Sequence, residues 1–384
     1  MSVRERLIWG VSAAILAVLF LMSSTDLLIK EKETQVHPIS VIIDHSSDEY
    51  YGNFRKGMDK AAEEYQADVN FITLYPGTDA AAKVRQQVEL VQREENDDAK
   101  AIILAPVKRA DMLAALELSN PGIPVILLAD PADSKHIAGS VYVDGFQVGS
   151  LLGDVAARDI SDETRAPATG PPAADDIADS SAGAGATGPA DYLGATAPQQ
   201  GPAPDAPSGT GASPATAPTI YLFTEGLDLG GHSHVYDGVR SALSSYGIAT
   251  RLVEKKDADT YRATIEETVY PGTAPDTPIT IIALDVAALD ETARILAGSS
   301  VFASHVRALY GAGSTTSILN QVDKGVITGL VTWSGFDAGY LSIQKAVEAI
   351  DTGRQPDQAK LDIYYVDKER LKDKDLEKIL YPIE

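Results

Sequence analysis

Short apolar runs alternate with amphipathic stretches along most of this chain. Residues 39–44, 69–74, 101–104, 123–128 and 140–143 read as strands with β-branched cores. Helical patterns over 50–65, 78–93, 109–118 and 146–160 separate or follow them, and Thr78 is placed to cap the second. The pattern then stops. Residues 164–217 are mostly Ala, Gly, Pro, Ser, Thr and Asp, with Ile177, Tyr192 and Leu193 as almost the only large apolar side chains. Such a segment buries too little surface to offset its ordering entropy and reads as a disordered spacer.

Alternation resumes with strands at 219–223, 248–253, 279–284, 306–310 and 326–332, and helices at 235–245, 261–268, 286–296 and 316–323. A long amphipathic helix over 336–350 ends at Gly353, the residue type that closes helices in a left-handed conformation. Segments 361–366 and 371–380 complete the chain. Strand–helix alternation of this kind indicates α/β architecture: two lobes, each a doubly wound parallel sheet with helices on both faces.

Composition narrows the function. The chain has 384 residues, enough for two or three domains, and a net charge of −23. That charge argues against nucleic acid, which demands a basic face. No cysteine is present, so disulfides, thiolate metal sites, a cysteine nucleophile and a lipid-modified cysteine are excluded.

Arg4 and Arg6 precede an apolar run at 7–22 followed by Ser23-Ser24-Thr25-Asp26. As a helix this run is roughly 24 Å long, slightly short of a ~30 Å hydrocarbon core. It reads as an N-terminal membrane helix left uncleaved, since a small-x-small cleavage site is missing, with a cleaved signal peptide as the alternative. Either reading puts the remaining chain outside the cytoplasm.

Candidate chemistry concentrates just after the first strand. Asp44 and Asp48 flank a polar turn, and Tyr50 and Tyr51 open the helix. Ligands of open parallel sheets bind beyond the carboxyl ends of the strands. There carboxylates accept hydroxyl hydrogen bonds, and rings cover the apolar faces of a molecule such as a sugar. Asp44 and Asp48 serve equally well as a helix cap or a solvated turn residue, and the tyrosines could pack inward.

Other chemistry finds little support. His232 and His234 are two apart and would not share a helix face. The glycine-rich stretches 226–231 and 311–317 lack the Gly-Lys-Ser/Thr of a phosphate loop, and no nucleophile elbow appears. No reaction centre, cofactor or metal is implied.

Several strings, in order, resemble type I periplasmic solute-binding proteins of the ribose and galactose class, related in fold to the effector domains of LacI-type repressors. They are Tyr50-Tyr51-Gly52-Asn53-Phe54-Arg55-Lys56-Gly57, Ile103-Leu104-Ala105-Pro106, Gly122-Ile123-Pro124, Tyr142-Val143-Asp144-Gly145, His234-Val235-Tyr236-Asp237-Gly238 and Ile281-Ile282-Ala283-Leu284-Asp285. The resemblance covers about residues 39–368.

It implies a membrane or signal segment (1–30), lobe 1 (38–160 plus 333–356), the spacer (164–217) in a hinge connection, and lobe 2 (218–332 plus 357–384). The chain would cross between lobes near 159–218, at Thr332-Trp333, and near 355–360. It further implies a cleft lined by Asp48, Tyr50, Tyr51, Asp130, Ser233 or His234, Asp285 and Trp333. The usual arginine after Asp130 is replaced by Pro131, and Gly311-Ala312-Gly313 stands for the usual Gly-Phe-Asp.

The expected ligand is a small polar molecule, a monosaccharide or polyol. The expected partners are an ABC permease or a membrane histidine kinase. A scaffold that docks a protein, and an extracellular hydrolase, are the alternatives. Removing residues 169–214 is expected to leave folding intact; a melting temperature far below that of the parent chain would contradict the spacer reading.

Overall fold

The computed structural model describes residues 3–28, 36–44, 48–75, 79–165, 219–269 and 278–381. Helix α1 (Val3–Leu28) comes first. Lobe 1 then runs β1 (His37–Ile43), α2 (Asp48–Tyr65), β2 (Ala67–Thr73), α3 (Ala80–Asn96), β3 (Ala101–Leu104), α4 (Arg109–Ser119), β4 (Val125–Leu127) and β5 (Ile137–Tyr142). Helix α5 (Gly145–Arg165) precedes β6 (Thr219–Thr224), α6 (His232–Ser245), β7 (Ala249–Glu254), α7 (Thr260–Val269) and β8 (Ile279–Ala283). Next come α8 (Val286–Ala297), α9 (Ser300–His305), β9 (Val306–Ala312), α10 (Thr316–Asp323), β10 (Gly329–Thr332) and α11 (Gly335–Thr352). Strands β11 (Ala359–Lys360) and β12 (Tyr364–Asp367), a 3-10 turn and α12 (Lys374–Leu380) finish the chain.

Two six-stranded sheets result, ordered β11-β5-β4-β3-β1-β2 and β12-β10-β9-β8-β6-β7. All pairings are parallel except β10 with β12. The central strands are apolar on both faces because helices cover both. In β1, Val41 and Ile43 pack under α2 and α11, while Ile42 faces the α3 and α4 side; all three are fully buried. Each such side chain contributes about 1.5–3 kcal/mol on leaving water. Lobe 2 repeats the plan, with α5 and α6 on one face and α7 to α10 on the other.

The crossings differ from expectation. Val148, Leu152, Ala156 and Ile160 of α5 share a core with Ile220, Leu222 and Val239 of lobe 2. The chain therefore leaves lobe 1 directly after β5, at Val143 and Asp144, rather than beyond residue 159. The low-complexity segment lies outside the described residues, but its flanks α5 and β6 both belong to lobe 2, so it joins two elements of one lobe. The second crossing is where expected, since β10 sits in the lobe 2 sheet and α11 packs on α2. The third falls later: β11 pairs with β5 and Leu361 enters the lobe 1 core before β12 joins lobe 2.

Helix caps follow local chemistry. Asp79 caps α3 through a 2.7 Å bond from the Ala82 amide; Thr78, the expected cap, is outside the described residues. Gly353 (φ 60°) ends α11 as expected. Along α1 the side chains of Trp9, Leu16 and Phe20 are exposed. Among the described residues no helix is long and apolar enough to cross a membrane. Residues 7–22, expected as a membrane span, lie within α1.

One glycine pair per lobe sets the helix packing. A Cβ on Gly57 (α2) would meet the Phe336 carbonyl oxygen at 1.9 Å, and one on Gly339 (α11) the Phe54 oxygen at 1.9 Å. In lobe 2, a Cβ on Gly149 (α5) would meet Val235 O at 1.9 Å and one on Gly238 (α6) Phe146 O at 2.1 Å. Backbone cannot yield as a flexible side chain can. Gly57→Ala and Gly238→Ala should each cost about 1–3 kcal/mol through overpacking, read as a lower melting temperature. Gly52→Ala on the same α2, where a Cβ meets nothing within 4 Å, should be neutral or stabilising. Equal melting temperatures for all three would refute this account.

Glu94 is the buried charge of lobe 1. It is 5% exposed and accepts from Ser40 Oγ (2.7 Å), Asn70 Nδ2 (3.1 Å) and Arg93 Nη2 (2.7 Å). Burial pushes its carboxyl up, but these bonds outweigh it and hold the group below its ordinary value. A depressed folded pKa gives stability that is present above the unfolded pKa, about 4.3, and lost as pH falls through the folded value. Glu94→Gln should therefore lower stability by roughly 1–3 kcal/mol at neutral pH, with the gap narrowing on acidification. A pH-independent gap in urea melts would count against it.

Candidate functional site

The carboxyl ends of both sheets face one cavity of about 470 Å³ between the lobes. From lobe 1 it is lined by Ala105 after β3, Asp130 after β4 and Tyr142 at the end of β5. Lobe 2 supplies Asp285 after β8, Gly313 after β9 and Trp333 after β10. Gly313 (φ +139°) lets this loop pass within reach of Val286, whose Cγ1 would lie 3.1 Å from a Cβ there. The walls are largely apolar, with Leu128, Val143, Val235, Leu284 and Leu319 among them. A cavity of this size with a few placed polar groups suits a small ligand.

Contacts between lobes border the cavity. Loop 226–231 of lobe 2 lands on lobe 1, where Gly230 donates to the Val107 carbonyl at 3.1 Å and Asp228 pairs with Lys108. Beside it His234 Nδ1 lies 2.5 Å from Asp130 Oδ2. On α2, Asn53 Nδ2 donates to the Leu380 carbonyl at 3.0 Å. Trp333 packs against apolar cores of both lobes, α2/α11 on one side and α5/α6 on the other.

Four of the expected residues line the cavity: Tyr51, Asp130, Asp285 and Trp333. Tyr51 stands edge-on to Phe54, ring centres 5.8 Å apart. Burial, and next the Asp44 carboxylate, push its phenol up to about 12, so it remains a neutral hydroxyl. Asp285 does more than face the cavity. It caps α8 by accepting from Ala288 N and holds the neighbouring loop by accepting from Glu225 N, each at 2.9 Å.

Other expectations are redirected. Asp44 is held by Lys83 Nζ at 2.8 and 2.9 Å, which turns it towards α3, and it is not among the cavity residues. His234 contributes at the rim through Asp130, and Ser233 is not among the cavity residues. Asp48 and Tyr50 open α2, but their side chains lie outside the described ones.

Residues 39–355 match the family model described as a periplasmic binding protein domain. The chain belongs to the periplasmic binding protein family. Among curated proteins, no match is found. Solved structures match over nearly their whole length. A carbohydrate transporter solute-binding protein from Agrobacterium radiobacter, in complex with D-arabinose, is 17% identical with TM-score 0.65, covering 90% of this chain and 99% of its own. A solute-binding protein from Bacillus halodurans C-125 with bound myo-inositol is 15% identical, TM-score 0.62, covering 89% and 98%. One from Actinobacillus succinogenes 130z with bound D-allose is 16% identical, TM-score 0.60, covering 88% and 99%. At this identity the likeness shows the fold.

In this periplasmic binding protein, several cavity residues escaped the sequence reading. Arg109 is one: its Nε and Nη2 donate to the Asp130 and Pro131 carbonyls at 3.3 and 2.5 Å. Its place in the first turn after β3 was the available clue. Tyr142 lay within a quoted motif, and Ser314 and Thr316 within a glycine-rich stretch read only for phosphate chemistry. Asn53 likewise lay within the string 50–57, whereas Tyr381 carried no clue, because a contact across the cleft leaves no local pattern.

Proposed function

We propose that the chain is an extracytoplasmic solute-binding protein that clamps a monosaccharide or polyol between its lobes. The observation that carries this reading is the cavity at the carboxyl ends of both sheets, bordered by the rings of Tyr51 and Tyr142 from lobe 1 and of Trp333 after β10. Rings of this kind cover the C–H faces of a sugar, while Tyr51, Tyr142, Ser314 and Thr316 bring hydroxyls for its polar edge. Solved relatives described with D-arabinose, myo-inositol and D-allose support the ligand class. Their description as solute-binding proteins supports binding rather than catalysis. A ligand touching both lobes favours the closed form, because only that form offers both sets of contacts.

The occupied protein would then deliver its ligand to an ABC permease or report to a membrane histidine kinase. The tether expected at 7–22 rests on the sequence and on the exposed apolar side chains of α1. Neighbouring permease and ATPase genes would indicate import, and a neighbouring kinase gene sensing. A second reading, a scaffold whose lobes dock a protein, is favoured by one observation: Asp130 and Asp285 already have partners within the chain.

Titrating the full chain with D-arabinose, D-allose, myo-inositol and further neutral sugars tests the choice. A true ligand at a hundred times its Kd should stabilise the fold by about 2.7 kcal/mol. It should also change the fluorescence of Trp333, one of two tryptophans, in a Trp9→Phe background. If no sugar or polyol shifts either signal, the ligand class is wrong and the scaffold reading gains.

A further inference from the structure

The last described helix is rooted in lobe 2 but ends over the cleft. Leu376 and Leu380 of α12 are each 2% exposed and share a core with Leu319 and Val322 of α10. From this footing the Leu380 carbonyl accepts the 3.0 Å hydrogen bond from Asn53 on α2 of lobe 1. The helix also touches α11, another lobe 1 element. The next residue, Tyr381, donates its amide to the Glu377 carbonyl at 2.8 Å, which fixes the base of its side chain. Tyr381, Leu380 and Asn53 all line the cavity, yet Tyr381 keeps 50% of its surface exposed.

A core tyrosine would bury its ring, and an ordinary surface tyrosine would not border a cavity. This one stands at the mouth, part in water and part over the hollow. Burial, and then the Asp323 carboxylate of α10, push its phenol up, so the hydroxyl stays neutral and can donate to or accept from an uncharged ligand.

We propose that α12 and Tyr381 form a strap that completes the binding cleft, with Asn53 as its catch on lobe 1 and the Tyr381 ring as a cover over the bound solute. This rests on the reading of the cavity as a ligand site and adds to it a wall from the end of lobe 2. A ring covering the mouth selects a guest with a flat C–H face turned outward, such as a pyranose or a cyclitol, over an open-chain polyol. The strap stays rooted in lobe 2 through Leu376 and Leu380, so releasing its Asn53 catch costs about one hydrogen bond and acts mainly on ligand escape.

The test uses the full chain and two readouts. Stopped-flow kinetics with D-allose, D-arabinose and myo-inositol should show that Tyr381→Ala speeds dissociation roughly three- to tenfold with little change in association, the range expected for losing one ring contact. Tyr381→Phe, which keeps the ring, should stay within about twofold of the parent. In the ligand-free chain, Asn53→Ala should raise amide hydrogen exchange in α12 by at least about threefold, the loss of one hydrogen bond. Amides of α10 should not change, which controls for folding. Unchanged dissociation in Tyr381→Ala, or unchanged α12 exchange in Asn53→Ala, overturns the proposal. If the parent chain binds none of the probes, the proposed function fails instead, and exchange alone decides whether the strap exists.

Discussion

The arrangement of the cleft depends on how closely two helix pairs approach. Each pair joins the first helix of a lobe to the helix that enters that lobe by a crossing: α2 with α11, and α6 with α5. Glycines at both contacts let backbone meet backbone, where any Cβ would fall about 2 Å from a carbonyl oxygen. A chain that crosses between lobes three times needs a fixed landing point after its first two crossings, or the strand ends would not converge. The glycine contacts supply that point. The same constraint occurs once per lobe although the sequence shows no repeat, so the pseudo-symmetry lies in the packing geometry.

With the lobes so placed, polar groups at the strand ends have two obligations. They must satisfy helix ends and loops, and they must leave something for a ligand. Asp285 illustrates the first by capping α8 and fixing the Glu225 loop. Arg109 does likewise by holding the turn after β4. A buried carboxylate without such partners would be costly, so its hydrogen bonds are a condition of folding. Among the described residues, the rest of the cavity lining is chiefly hydroxyl-bearing, aromatic and aliphatic. That balance agrees better with an uncharged ligand than with the carboxylate-dominated site that the residue types alone suggested.

Much of the fold was legible because strand cores such as Ile39 to Ile43 are apolar on both faces and helices such as α11 carry a clear stop at Gly353. Two glycines of the helix contacts were visible too, within the strings carrying Gly57 and Gly238. The crossings were less legible. Amphipathicity says that α5 buries a face, not which sheet it buries it against, so α5 was assigned to the lobe preceding it in sequence. Segment 361–366 looks continuous, yet the chain changes lobes within it, because its apolar residues carry no sign of which core each enters: Leu361 joins lobe 1 and β12 the lobe 2 sheet. For the site, the family resemblance pointed to Asp130, Asp285 and Trp333, and these three line the cavity. Asp44 shows the limit of reasoning from strand ends: Lys83 lies 39 positions away in sequence and takes the carboxylate for an ion pair.

The contacts that border the cleft are few, and this bears on how the protein would respond to a ligand. Lys108 with Asp228 is an exposed pair that salt screens, and His234 with Asp130 is half exposed. The two hydrogen bonds, Gly230 to Val107 and Asn53 to Leu380, contribute about 0.5–1.5 kcal/mol each. Against them stands the hydration that an open cleft would regain. An equilibrium near balance is the one most easily shifted by differential affinity. A ligand that gains even a few contacts from the second lobe would move most of the population. Strengthening the rim would lower the concentration at which the cleft fills, at the cost of slower exchange of the bound molecule.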